Sequence, residues 1–368
     1  MPGLYLHLPF CIRKCAYCDF YSVPGRPELM PAYINALLTE AEKYRGLAFE
    51  TLYLGGGTPS LIGASGIQKL MTGLRKVFDL SKLTEATIEV NPESATGAFY
   101  ATAKESGINR ISIGVQSLNN SELKSVGRIH TAGQARLAII NAQKTGFTEI
   151  SCDIIIGLPG QTWGSLRKTL ETLLGFSVTH LSLYCLALEE GTPLAKKPPA
   201  DLPSEDEQAG LFEKAKDFLT ASKFVHYEIS NFALMGHECL HNLNYWRGGE
   251  YLGLGAAAAS HLNSKRFKNR SDLDAYIKNP IGQTTNFEEL PPKEKAGEEA
   301  MLRLRLIQEG LSLDELSLRF GVENTGELKL RLEALAGEGL LIREGPRYRL
   351  PSERILTSNQ ILARVIGD

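Results

Sequence analysis

Short, nearly unbroken apolar runs alternate with helical patterns through the first half of the chain. LYLHL (4–8) precedes a helical pattern around 31–45, TLYLGG (51–56) one near 65–78, and ATIEVN (86–91) one near 95–106. RISIGV (110–115) leads to helical stretches near 120–145, SCDIIIGL (151–158) to a helix near 164–175, and HLSLYCL (180–186) comes sixth. Strands that alternate with helices need crossover connections, which are right-handed and leave successive strands parallel. Runs apolar at nearly every position belong to strands covered on both faces. Six such units without a dinucleotide-binding fingerprint predict an α/β fold, an incomplete (β/α)6 TIM-like barrel. Functional groups then belong at the C-terminal ends of the strands.

The stretch GTPLAKKPPADLPS (191–204) reads as an exposed linker, followed by a helix near 205–222, a strand at 224–229 and a Gly-rich region to about 262. From about 291 the pattern predicts three or four helices and a hairpin at 340–350, a winged-helix-like arrangement. The expected organisation is a barrel core over 1–190, an extension over 191–290 and a C-terminal helical winged-helix-like domain over 291–368. Residues 290–368 hold 12 Lys and Arg against 13 Asp and Glu, so a packing or lid role fits them better than DNA binding. Over all 368 residues, 43% are hydrophobic and 22% charged, which excludes wholesale disorder. Forty basic residues against 42 acidic ones leave a net charge of −2 and no electrostatic case for a nucleic-acid partner. No apolar run approaches the roughly 20 residues of a membrane span. The segment MPGLYLHLPFC lacks the basic start of a signal peptide, so a cytoplasmic protein with reduced thiols is expected.

Three of the six cysteines, Cys11, Cys15 and Cys18, fall within eight residues as C-x3-C-x2-C, directly after the first strand. Three thiolates on one loop can hold an iron–sulfur cluster or a zinc ion. Zinc sites usually pair a C-x2-C with a second, distant pair, and none follows here. His7 sits mid-strand, where alternation points it to one face and not clearly into the loop. A 4Fe–4S cluster normally takes four protein ligands, so three leave one iron open to a small molecule. Cys152 and Cys185, in apolar strands, read as small buried hydrophobes. Cys239 forms H-x-C-x-H with His237 and His241, a rival metal pattern without an evident fourth ligand.

Other chemistry-bearing residues recur at strand ends. Gly55-Gly56-Gly57-Thr58-Pro59 follows the second strand, where glycines let a ligand approach backbone N–H groups. Glu89 and Gln116 end the third and fourth strands, and Arg128 lies in GRIH. Asp153 interrupts the fifth, where a buried charge is costly unless paired or functional. Carboxylates suit hydroxyls and an ammonium group, and Arg suits a carboxylate.

The cysteine spacing resembles that of the radical S-adenosylmethionine (SAM) superfamily. LYLHLPFCIRKCAYCDFYS, GGGTPS, EVNP, NRISIGVQS, GRIH and DIIIGLPGQT follow the order seen in oxygen-independent coproporphyrinogen III oxidases and their close relatives, the HemW-type heme chaperones. The likeness covers nearly the whole chain. It implies a 4Fe–4S cluster on Cys11, Cys15 and Cys18 whose open iron binds SAM, and reductive cleavage of SAM to a 5′-deoxyadenosyl radical. It also implies SAM contacts at Tyr5, Tyr17, Gly56, Gly57, Thr58, Glu89, Gln116, Arg128 and Asp153.

Two features separate the relatives. The oxidases carry a longer N-terminal segment and a further Cys two residues after the third cluster ligand. Here Phe20 occupies that position and four residues precede Tyr5. His241-Asn242-Leu243-Asn244-Tyr245-Trp246 resembles the HNxxYW hallmark of the chaperones, which makes His241 the favoured heme ligand, with Tyr and Trp faces for the macrocycle. Arg247 and the group Lys265, Arg266, Lys268 and Arg270 suit heme propionates or anionic lipid, or form a solvated strand face. The expected function is that of a chaperone that binds the cluster, SAM and one heme. It delivers the heme to apo-hemoproteins, respiratory enzymes among them, with peripheral membrane association. The alternative is oxidative decarboxylation of coproporphyrinogen III in porphyrin biosynthesis, and a third is a zinc-stabilised barrel.

Overall fold

In the computed structural model of the chain, which describes residues 1–367, the six apolar runs are six strands. They are β1 (Gly3–Leu8), β2 (Thr51–Gly56), β3 (Glu85–Val90), β4 (Arg110–Gln116), β5 (Glu149–Ile156) and β6 (His180–Cys185). All five neighbouring pairs are parallel. Every residue of β4 is buried, as expected of a strand covered on both faces.

Helices α1 (Met30–Glu42), α2 (Gly63–Val77), α3 (Gly97–Glu105), α4 (Asn120–Ser125), α5 (Ala132–Lys144) and α6 (Trp163–Gly175) make the outer layer. The buried positions Ile67, Leu70, Met71, Leu74 and Val77 repeat at helical spacing along α2. Thr131 with Gln134 and Thr162 with Ser165 form capping boxes that start α5 and α6. The helical stretches expected near 120–145 are the two helices α4 and α5. Gly127, at φ 77, turns the chain between them, and the GRIH segment crosses toward the barrel mouth.

The sheet continues beyond the barrel on both sides. Strands β7 (Val225–Glu228) and β8 (Asn231–Ala233) add antiparallel to β6. On the other side β9 (Tyr251–Leu254) pairs parallel with β1, and β10 (Ala259–Leu262), β11 (Lys265–Asn269) and β12 (Thr284–Glu288) follow antiparallel. The result is one sheet of twelve strands in the order β12-β11-β10-β9-β1-β2-β3-β4-β5-β6-β8-β7. The C-terminal part holds helices Pro292–Leu304, Leu313–Phe320, Val322–Gly337 and Ser358–Ile366 around a three-stranded sheet with a hairpin at Ile342–Arg349. These elements share their own buried cluster, centred on Leu304, Leu316, Leu332 and Val365.

Candidate functional site

Beyond β1 the chain makes a loop closed by a two-residue parallel pairing of Phe10–Cys11 with Val23–Pro24. This loop carries Cys11, Cys15 and Cys18, all half-buried, onto the wall of a cavity of about 420 Å³ at the C-terminal ends of the strands. Gly57 lies beneath it. A Cβ there would stand 2.6 Å from the Phe10 carbonyl oxygen and 3.0 Å from Cys11 Sγ, so only glycine lets the two loops pack this closely. Thr58 Oγ1 is 3.5 Å from Cys11 Sγ, and Arg128 donates to Cys15 Sγ at 3.7 Å. Burial pushes the Cys11 and Cys18 thiols up, which a bound metal centre would reverse by favouring thiolate. Three thiols on one side, a glycine floor and a guanidinium beside them fit an iron–sulfur cluster.

The same cavity collects Tyr17, Gly56, Thr58, Glu89, Gln116, Arg128 and Asp153. Glu89 accepts from Tyr53 Oη at 2.9 Å and from the Gly56 N–H at 3.1 Å. Its carboxyl is pushed up to about 7, first by desolvation and then by the neighbouring Asp153 charge. Asp153 accepts from Ser112 Oγ at 3.2 Å and is itself raised to about 6 by burial. Two buried carboxylates on one cavity wall, one of them raised by the other's charge, make a seat for a cation. Arg128 donates to Asn91 Oδ1 at 3.0 Å and to the Gly114 carbonyl at 2.9 Å, holding its positive charge beside the cysteine loop. Gln116 ends β4 at φ 62, a conformation rare outside glycine and found where a side chain must be aimed from a strand end.

Sequence reasoning missed Tyr184, Cys185 and the role of Asn91. Tyr184 and Cys185 end β6 and line the cavity, and the strand-end rule used for Glu89 and Gln116 would have found them. Cys185 is exposed to the cavity, contrary to the expectation of a buried hydrophobe, because the cover over β6 stops at Leu183. Cys152 is fully buried. Asn91 donates to Thr58 Oγ1 at 3.0 Å and so links two strand ends.

Two expected contacts lie elsewhere. Tyr5 does not line the cysteine cavity. It points into the barrel, with its hydroxyl 2.9 Å from His7 Nδ1 and its ring stacked at 6.3 Å on Tyr53. His7 Nε2 is 3.0 Å from the Tyr21 carbonyl, so both its ring nitrogens are engaged and it is no fourth cluster ligand. His241 is fully buried at the opposite end of the barrel, beside Gly3 and Thr51. Its Nδ1 is 2.8 Å from Thr51 Oγ1 and its Nε2 2.8 Å from Tyr245 Oη, which leaves no nitrogen for iron. Glu85, at the start of β3, explains this placement. Its carboxylate accepts from the N–H groups of Leu240 (2.9 Å) and His241 (3.0 Å) and from Cys239 Sγ, capping helix Leu240–Trp246. His237 pairs with Glu149 at 2.9 Å. Among the described residues no three His, Cys, Asp or Glu side chains converge on a single metal ion, the H-x-C-x-H group included.

Residues 5–173 match the radical SAM superfamily, and residues 290–355 match the HemN C-terminal domain. The chain is 34% identical to the heme chaperone HemW of Lactococcus lactis over 99% of this chain and 97% of that protein. It is 32% identical to the heme chaperone HemW of Bacillus subtilis over the full length of both. The chain belongs to the HemW family.

The fold agrees with that of the radical SAM enzyme coproporphyrinogen III oxidase (HemN) from Escherichia coli, at a TM-score of 0.88 and 23% identity over all of this chain and 90% of that one. HemW membership within the radical SAM superfamily implies a 4Fe–4S cluster and SAM. This HemW-family chain holds a second, larger cavity of about 960 Å³ between β1, the β9–β11 extension and helix Pro292–Leu304. Phe20 stands on the wall of both cavities. Among the described residues no helix is long and apolar enough to cross a membrane.

Proposed function

We propose that the chain is a heme chaperone: it binds a 4Fe–4S cluster, SAM and one heme, and passes the heme to apo-hemoproteins. The observation that carries this reading is the pair of cavities that meet at Phe20, one suited to the cluster with SAM and the other aromatic and basic. Cys11, Cys15 and Cys18 hold the cluster, which supplies redox chemistry and an open iron. Glu89 and Asp153 take the ammonium and ribose hydroxyls of SAM and Arg128 its carboxylate. Gly56, Gly57 and Thr58 offer the backbone that lets it lie close to β2, while Gln116 and Tyr17 close the sides. Phe20, where the oxidases resembled by this chain carry a further cysteine, favours the chaperone over a decarboxylase. The full-length relatives named heme chaperone HemW support the same choice.

A cytoplasmic protein that touches membranes peripherally and loads respiratory enzymes fits this role. The test is transfer. Heme-loaded protein is mixed with an apo-hemoprotein, while reduced protein with SAM is incubated with coproporphyrinogen III. Recovery of acceptor heme absorbance without loss of carbon dioxide from the porphyrinogen is the expected result. Decarboxylation without heme transfer would overturn it.

A further inference from the structure

The larger cavity has the chemistry of a heme site away from His241. Tyr245, Trp246, Tyr251 and Phe320 present aromatic faces to it, and at about 960 Å³ it lies at the top of the roughly 300–1,000 Å³ range of small-molecule pockets. Four cations reach its wall. Arg266 pairs with Glu298, and Arg319 with Glu299 at 2.7 Å. Lys268 and Lys295 have no carboxylate partner within ion-pair distance among the described residues. Two unpaired ammonium groups beside aromatic walls call for a flat, largely apolar ligand with two carboxylates.

Two imidazoles line this space, and His7 has both ring nitrogens engaged, by Tyr5 Oη and the Tyr21 carbonyl. His261 lies on β10 opposite Tyr251, which its ring meets edge-on at 6.2 Å, and it lines the cavity half-buried. The Gly249 backbone lies beside its ring. A metal-ligating histidine is commonly oriented by a backbone carbonyl at its second ring nitrogen, and the Gly249 backbone is the neighbour that could do so here. Burial and the neighbouring Arg266 lower the proton affinity of His261. His241 stands one layer back. It touches Tyr245, whose ring meets Tyr251 at 4.6 Å, so it positions the aromatic wall.

We propose that the cargo heme occupies this cavity, with His261 on the iron and Lys268 and Lys295 on the two propionates. The inference rests on the heme-chaperone reading and locates its ligand. The experiment is an anaerobic titration of the cluster-reconstituted chain with hemin and with hemin dimethyl ester, followed by visible absorbance. Wild type is expected to saturate at one hemin per chain. His261→Gln is expected to shift the Soret band and weaken binding about tenfold or more, and His261→Tyr to replace the imidazole spectrum with a phenolate one. The double variant Lys268→Gln/Lys295→Gln is expected to weaken hemin about tenfold or more and leave the dimethyl ester unchanged. Cluster absorbance reports folding in each variant. An unchanged Soret band in both His261 variants, or equal loss of both hemins in the lysine variant, overturns the site while leaving the chaperone reading intact. Failure of wild type to bind hemin at all overturns the chaperone reading itself.

Discussion

Replacing Glu89 by Gln separates stability from ligand binding at the barrel mouth. In the folded chain the Glu89 carboxyl is pushed from 4.5 to about 7 by burial and by Asp153. The folded state therefore holds that proton more tightly than the unfolded chain does. Stability is lost as pH rises above about 4.5, and the loss is complete above about 7. At about 1.4 kcal/mol per tenfold in proton affinity, the ionised side chain costs the ligand-free protein up to about 3 kcal/mol. Gln keeps the shape but cannot ionise; its single amide oxygen can accept from the Gly56 N–H while its NH2 donates to Tyr53 Oη, which turns from donor to acceptor. It also relieves Asp153 of a neighbouring charge. Urea unfolding of ligand-free Glu89→Gln and wild type at about pH 5 and about pH 8 should show the variant gaining on wild type by up to about 3 kcal/mol toward the higher pH. Calorimetric titration of the reconstituted protein with SAM should show the opposite trend. Losing a charge-assisted hydrogen bond of about 1.5–3 kcal/mol weakens SAM roughly tenfold to a hundredfold. Parallel pH profiles for the two proteins, or unchanged SAM affinity, would refute the reasoning.

Cys15→Ala should abolish cluster assembly, read as loss of the brown absorbance and of bound iron and sulfide; an intact cluster would remove Cys15 from the ligand set. Gly57→Ala pushes a methyl group against the Phe10 carbonyl and Cys11 Sγ. It should destabilise the protein by about 1–3 kcal/mol and lower cluster occupancy on reconstitution. Glu85→Ala strips the cap from helix Leu240–Trp246 and leaves the buried His241 N–H and the part-buried Leu240 N–H unpaired. A loss of about 1–3 kcal/mol in urea unfolding is expected, with SAM affinity unchanged because Glu85 lies at the far end of β3 from the cavity. Adding SAM to the reduced cluster should alter its electron paramagnetic resonance signal, and an unaltered signal would argue against an open iron.

The parallel core was legible because its strands are buried on both faces and therefore apolar at almost every position, as in RISIGVQ. What the pattern could not reveal was pairing between distant segments. Strand β9 lies parallel beside β1 although some 245 residues separate them, and nothing local in YLGL announces that neighbour. The site followed the same division. Cys11, Gly57, Glu89, Gln116 and Asp153 converge because strand ends in a barrel share one face, so their position along each strand placed them. His241 belongs to a motif whose local chemistry suggested a heme ligand, yet a carboxylate on another strand, Glu85, seats its helix at the closed end of the barrel. His261 and Lys295 carry no local signal at all, since they meet only where the C-terminal helices pack on the sheet extension.

The central claim is that this chain carries heme, and the most direct measurement is the stoichiometry of heme binding by the wild-type, cluster-reconstituted protein under anaerobic conditions. A defined Soret band that saturates at about one heme per chain, with the cluster absorbance retained, is the predicted result. Absorbance that rises without saturation would contradict the account.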